Sequence, residues 1–344
     1  MELMGTHLPG TAAADPQRGG GSTAAADQQR DGGSTAAADQ QRGVGSTAAA
    51  DQQRDGGSTA AADQQWGVGS TVAPLRRVFV RTPATKGDFA AAQWRLPDEV
   101  ALLREHRGFV RLLESLGCQV EIGQPRGELV DAVYTHDPVI MTPYGAILLR
   151  MRKPAREPEP DQIAEDLNRL GVPVLGRLEG EAYADGGDKV WFDERTLAIG
   201  HSYRTNAAGI EQIRALLAPH GVEVTAYDLP HFQGPQAVLH LMSLISPLAD
   251  DLAIVYEPLA PVRLLEFLDE RGIVRMSAVE EEVATQGANV LAVRPRVLVI
   301  PEGNPHTVAK LRTAGCEVHE FPAADLCVKG DGGPTCLTQP LWRS

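Results

Sequence analysis

A strand–strand–helix–strand unit recurs along this chain, and it limits the available folds more than any single motif does. Leu75 to Thr82 alternates as a half-buried strand does and stops at Pro83. Pro97 to Leu116 reads as a helix. Pro97, Asp98 and Glu99 supply its first turn, Leu102, Leu103, Phe109, Leu112, Leu113 and Leu116 keep helical spacing, and Gly117 stops it. Cys118 to Ile122 is expected as the strand that follows. The next unit has strands over Asp131 to Thr142 and Ala146 to Met151, a helix over Glu159 to Leu170 closed by Gly171, and a strand over Val172 to Leu175. The third has strands Lys189 to Phe192 and Leu197 to Gly200, helix Asn206 to Leu217, and strand Val222 to Tyr227. The fourth has strands Leu239 to Ser243 and Leu252 to Tyr256, helix Pro261 to Arg271, and strand Ile273 to Met276. The fifth has strands Val290 to Val293 and Val297 to Pro301, helix Pro305 to Ala314, and strand Cys316 to Phe321. The first copy is split between the two termini. Single strands do not alternate with helices, which argues against one doubly wound parallel sheet. Five pseudo-symmetric ββαβ units around an axis predict an α/β propeller, with loops from every unit entering a central channel.

Residues 1–72 stand apart from this pattern. Thr11, Thr23, Thr35, Thr47, Thr59 and Thr71 recur at a twelve-residue period, most copies reading GSTAAADQQ. Almost no large apolar residue precedes Trp66, so the segment cannot bury enough surface to offset its ordering entropy. Its Ala-rich pieces are cut by glycine before a helix can nucleate. The division is therefore a disordered repeat tail over 1–72 and a propeller domain over 73–344. The tail has no apolar core of a signal peptide, so none is expected; a misassigned start codon explains it equally well.

A formal net charge of −13 disfavours nucleic acid and anionic membranes as partners. No apolar run is long enough to span a membrane. Cys118, Cys316, Cys327 and Cys336 show no C-x-x-C or Cys/His spacing, so no metal or other cofactor is expected. Without an export signal they read as reduced thiols of a cytoplasmic protein. Cys118 and Cys316 each enter a strand and read as structural. Cys336 differs. It follows Gly330-Asp331-Gly332-Gly333-Pro334-Thr335, a backbone forced to turn tightly, and so sits on a loop where a thiol can meet a substrate. The alternative is a small hydrophobe filling a gap.

Six segments in order carry a resemblance. They are DAVYTHDP from Asp131, Asp185-Gly-Gly-Asp188, GHSYRTN from Gly200, Leu239-His240-Leu241 with Ser243, Ala288-Asn289-Val290-Leu291, and DGGPTCLT from Asp331. Across residues 75–344 the chain resembles the guanidine-modifying enzymes of the pentein superfamily, which includes the dimethylarginine dimethylaminohydrolases and amidinotransferases. The resemblance implies a nucleophile at Cys336, a histidine acid/base at His240 and a carboxylate at Asp185. It also implies that Asp137 binds the guanidinium, that Asp131 receives the α-amine, and that Arg204 and Arg156 bind the α-carboxylate. Each residue also has an ordinary reading: a core histidine in an apolar strand for His240, turn formers for Asp185 and Asp188, with Asp188 expected to be the structural one. His136 stands where methylarginine hydrolases tend to carry glutamate, which implies a changed guanidine pocket; Pro334 stands where leucine is common. The implied activity is hydrolysis of free arginine or an N-methylated arginine to citrulline and an amine through a covalent cysteine intermediate. The alternatives are an amidinotransferase using the same intermediate and a non-catalytic binding protein. The expected partners are a small cationic guanidino amino acid and, as a homodimer, a second copy of the chain.

Overall fold

The structure, a computed structural model, describes residues 65–237 and 239–344. The repeat before residue 65, and its expected disorder, lie outside the described residues. Five three-stranded sheets make up the described chain. The first joins the two ends: β15 (Gln339–Arg343) pairs antiparallel with β1 (Leu75–Arg81), which runs parallel to β2 (Gln119–Gly123). The second is β3 (Val139–Thr142), β4 (Gly145–Leu148) and β5 (Val174–Arg177). The third is β6 (Lys189–Asp193), β7 (Thr196–His201) and β8 (Glu223–Asp228). The fourth is β9 (Ile245–Ala249), β10 (Leu252–Val255) and β11 (Val274–Ser277). The fifth is β12 (Leu291–Arg294), β13 (Val297–Pro301) and β14 (Glu317–Phe321). In each, the middle strand is antiparallel to one neighbour and parallel to the other, and a helix fills the parallel crossover. The helices are α1 (Glu99–Ser115), α2 (Glu159–Arg169), α3 (Ala207–Leu217), α5 (Val262–Glu270) and α6 (Pro305–Thr313), with a single turn, α4 (Leu241–Leu244), ahead of β9.

Burial follows this order. The middle strands β4, β10 and β13 are buried along their whole length, whereas the last strands β5 and β11 have exposed ends. The first strands β3 and β9 are also wholly buried. The connections entering and leaving them therefore bring polar side chains into the interior. Helix starts obey local chemistry: Asp98 accepts from the Ala101 N–H at 2.7 Å and Asn206 accepts from the Gly209 N–H at 2.8 Å.

Three expectations need correction. Val130–Val133 is a 3-10 turn, so the expected strand from Asp131 begins only at Val139. Asp131, Thr135, His136 and Asp137 spend their polar groups on side chains and loop carbonyls, and Pro138 cannot donate to a ladder. Leu239 to Ser243 is not a strand either. His240 caps α4, its N–H donating to Ser243 Oγ at 3.1 Å, and the strand follows at Ile245. Finally, residues 65–72 belong to the packed domain. Val68 and Val72 are buried, the Gly67 N–H donates to the Leu341 carbonyl at 2.7 Å, and the Thr71 N–H donates to the Trp191 carbonyl at 2.9 Å. Trp66, Val68 and Val72 lie close together here, whereas the earlier repeats hold almost no large apolar residue. Among the described residues no helix is long and apolar enough to cross a membrane.

Candidate active site

Cys336 is held by its loop and by one amide. The Thr335 N–H donates to Asn289 Oδ1 at 3.1 Å, and Asn289 Nδ2 donates to Cys336 Sγ at 3.4 Å. Gly333 is what lets the loop lie this close: a Cβ there would sit 2.3 Å from Asn289 Cγ. Cys118, Cys316 and Cys327 are buried, whereas Cys336 is half-buried. Burial, with the Asp137 charge adding to it, pushes the Cys336 thiol up to about 11, against the opposing hydrogen bonds of its own loop and Asn289.

His240 faces Asp185. Its Nε2–H donates to Asp185 Oδ2 at 3.3 Å, and both side chains are buried. Burial alone would lower the imidazolium, but the Asp185 hydrogen bond and the charges of Asp188, Asp137 and Asp185 outweigh it and raise His240 to about 9. The ring lies close against Gly187, where a Cβ would come 2.3 Å from Nδ1. Asp188 is structural in its contacts. Its carboxylate accepts from Ser202 Oγ, Thr205 Oγ1 and the Leu241 N–H at 2.6, 2.7 and 2.9 Å, tying the loop before α3 to the turn that carries His240. The second oxygen of Asp185, Oδ1, is buried and has no partner. A buried carboxylate oxygen left unpaired is costly unless a ligand completes it.

Asp137 knits these loops together. Its carbonyl accepts from the Gly186 N–H at 2.8 Å and its Oδ1 from the Gly187 N–H at 3.1 Å, while the neighbouring His136 N–H donates to the Cys336 carbonyl at 3.2 Å. Its Oδ2 accepts from Arg156 Nη1 at 2.6 Å. Burial would raise this carboxyl, but Arg156 above all, with His240 and His136, holds it down at about 2.

The remaining expected substrate groups have partners inside the protein. Arg156 gives Nε and Nη2 to the two oxygens of Glu159 at 2.9 and 2.7 Å as well as Nη1 to Asp137, so the expected grip on a substrate carboxylate is replaced by a grip on Asp137. Asp131 accepts from Trp94 Nε1 at 2.9 Å and from Lys153 Nζ at 2.5 Å. His136 has both ring nitrogens engaged inside the protein: Nδ1 donates to the Thr338 carbonyl at 2.9 Å and Nε2 accepts from Lys189 Nζ at 2.7 Å. Burial and the Lys189 charge push that imidazole down to about 3, so it is neutral. Arg204 differs from Arg156. It is buried, its Nε has no partner, and it lines a pocket with Tyr203, Asp228, His231 and Leu239.

A family model for arginine deiminase matches residues 128–270 and 264–343. The chain belongs to the arginine deiminase family. It is 26% identical over 266 residues to the N(G),N(G)-dimethylarginine dimethylaminohydrolase of Pseudomonas aeruginosa, covering 76% of this chain and 98% of that protein. It is 28% identical over 276 residues to the enzyme of the same name from Streptomyces coelicolor, covering 78% of this chain and 98% of that one. A solved structure of the P. aeruginosa protein, a mutant complexed with citrulline, superposes with a TM-score of 0.65 at 25% identity, over 77% of this chain and 98% of that one. The expected pentein propeller is thus the observed fold, and relatives so named are hydrolases of C–N bonds in amidines. In this member of the arginine deiminase family, Asn289 is a site residue to which the sequence alone assigned no role. Its motif was visible, but nothing local shows that its amide reaches a sulfur 47 positions away.

Proposed function

We propose that this chain hydrolyses the guanidino group of free arginine or an N-methylated arginine to citrulline and ammonia or an amine, through a covalent intermediate on Cys336. The observation that carries the reading is the unpartnered Asp185 Oδ1, buried beside an imidazole that is protonated at neutral pH. A planar cation offers the N–H that this oxygen lacks. Asp137, ionised and fixed by Arg156, supplies a second acceptor, and two rigid carboxylates orient a guanidinium as a fork.

The chemistry then follows from charge. The resting thiol is neutral because burial and Asp137 disfavour the thiolate. A bound guanidinium reverses that balance, and the thiol releases its proton to solvent. Sulfur attacks the guanidine carbon to give a tetrahedral adduct. The His240 imidazolium gives a ring proton to the departing nitrogen, the C–N bond breaks, and an amidino-thioether remains. The neutral imidazole then takes a proton from water as the water oxygen attacks the same carbon. Collapse breaks the C–S bond and leaves the ureido product with the sulfur free. Asn289 Nδ2 steadies the sulfur in both steps. Arg204, with an unused buried donor beside an open pocket, binds the α-carboxylate. Asp131 meets an α-amine only in competition with Lys153.

The test is incubation of the full chain with arginine, methylated arginines and shorter guanidino acids, following ureido product, released amine and the mass of the Cys336 peptide. Ureido product with a transient amidino mass on Cys336 supports the reading. Product formed only when an amine acceptor is added would make the chain an amidinotransferase, and an intact activity in Cys336→Ala would refute the nucleophile.

A further inference from the structure

Between the first strands lies a small cavity of about 30 Å3, larger than the ~10–15 Å3 that one water needs. Its lining includes His136, Lys189, Gln339 and Arg343, and no acid is among the residues around it. Lys189 and Arg343 are only 5% and 7% exposed. Lys189 Nζ donates to His136 Nε2 at 2.7 Å and to the Gly186 carbonyl at 3.4 Å. Arg343 donates Nη1 and Nη2 to the carbonyls of Ala73 and Ala292 at 2.6 and 2.9 Å, and its Nε is buried with no partner. No carboxylate is hydrogen-bonded to either cation among the described residues.

His136 cannot supply the missing charge. Its Nδ1 must carry the proton donated to the Thr338 carbonyl, so Nε2 is a bare acceptor and the ring is neutral. Asp137 acts on Lys189 electrostatically, but its Oδ2 is already claimed by Arg156. Burial pushes Lys189 down to about 7 and Arg343 down to about 10, which is how strongly this interior resists two uncompensated cations. A water would satisfy the free Arg343 Nε and the equally unpartnered Gln339 Oε1, but would leave the charge in place. A monovalent anion gives Arg343 Nε the acceptor it lacks and supplies the missing negative charge at the same time. Gln339 takes no part in holding it: its Nε2 donates to the Pro340 carbonyl at 3.1 Å, which fixes the amide with Oε1 as its free edge. We infer that this cavity is a binding site for a small inorganic anion of the halide class, held by Lys189 Nζ and Arg343 Nε.

The experiment uses the full chain in halide-free sodium gluconate, with sodium bromide substituted at constant ionic strength. The unfolding temperature is expected to rise saturably with bromide, the folded-to-unfolded ratio growing roughly elevenfold at ten times the dissociation constant. Crystals grown in bromide should show an anomalous peak in hydrogen-bond contact with both nitrogens. Lys189→Met and Arg343→Gln should abolish the bromide dependence; if the arginine variant does not fold, the lysine variant and the anomalous map decide. Equal unfolding temperatures in gluconate and bromide, or a map with only water in the cavity, overturn the inference.

Discussion

Arg156→Met tests the buried charge network that holds Asp137 in place. The native guanidinium serves Glu159 with two hydrogen bonds and Asp137 with one, and the side chains concerned are 7%, 3% and 5% exposed. Solvent cannot replace the lost cation at that depth. Removing one partner of a buried pair costs about 3–5 kcal/mol, roughly a fifth or more of the ~5–15 kcal/mol that holds a typical domain together. With a urea m-value of about 2–3 kcal/mol/M, the midpoint should fall by about 1–2.5 M. The loss should also depend on pH, and its sign is fixed. Burial raises Glu159 to about 7 even with Arg156 opposing it, and without Arg156 the carboxyl rises further. At pH 5.5 it can shed its charge by taking a proton, whereas at pH 8 an ionised form is stranded. Urea titrations of Arg156→Met against the native chain should therefore show a larger loss at pH 8 than at pH 5.5, and adding Glu159→Met should recover part of it. A loss under about 1 kcal/mol, or equal losses at the two pH values, would refute the reasoning.

The pair of His240 and Asp185 predicts a stability window. A folded pKa raised to about 9 gives stability that is fully present below the ordinary imidazole range near ~6.5 and is lost as pH rises through 9. Asp185→Asn should thus lower the unfolding temperature at pH 6 more than at pH 10, and parallel curves would contradict the pairing. Asp137→Asn should speed alkylation of Cys336 by iodoacetamide at pH 8, read peptide by peptide, because the carboxylate is one of the charges that raise the thiol; an unchanged rate would show that burial acts alone. A chain starting at residue 73 should unfold several degrees below one starting at 65, since it lacks buried Val68 and Val72. Identical melting would show that this segment adds nothing.

The five units were legible because each repeats the same punctuation: an apolar middle strand, a helix with an acid, an asparagine or a proline at its start, and a glycine after it. Two places misled, and both are where the chain serves the site. Leu239 to Met242 has the apolar alternation of a strand, yet the His240 N–H is taken by Ser243, a capping pair visible in sequence but outweighed there by the hydrophobic pattern. Asp131 to Thr142 reads as one strand, while Val130–Val133 is a 3-10 turn and the strand begins only at Val139. Side-chain partners show the same limit. Glu159 lies one helical turn from Arg156, so their pairing could have been read from spacing. Lys189 meets His136 across 53 residues and Trp94 meets Asp131 across 37, and no local pattern announces either.

Those long-range partners explain how so many ionised groups persist in one interior. Arg156 stands on Asp137 and Glu159, Lys153 on Asp131, and His240 on Asp185, each a cation against carboxylates that would otherwise be too costly to bury. Among the described residues the buried carboxylate oxygen left without a partner is Asp185 Oδ1, and a cationic donor left over in the small cavity is Arg343 Nε. The first asks for a cation, the second for an anion, and His136 belongs to both neighbourhoods through its backbone bond to Cys336 and its ring bond to Lys189. Its neutrality is what keeps the two apart. A glutamate in its place would neutralise Lys189 directly, so His136→Glu should abolish bromide-dependent stabilisation while leaving the Asp185–His240 stability window unchanged, and a chain that kept the bromide effect would show that Lys189 is not part of the anion's cage.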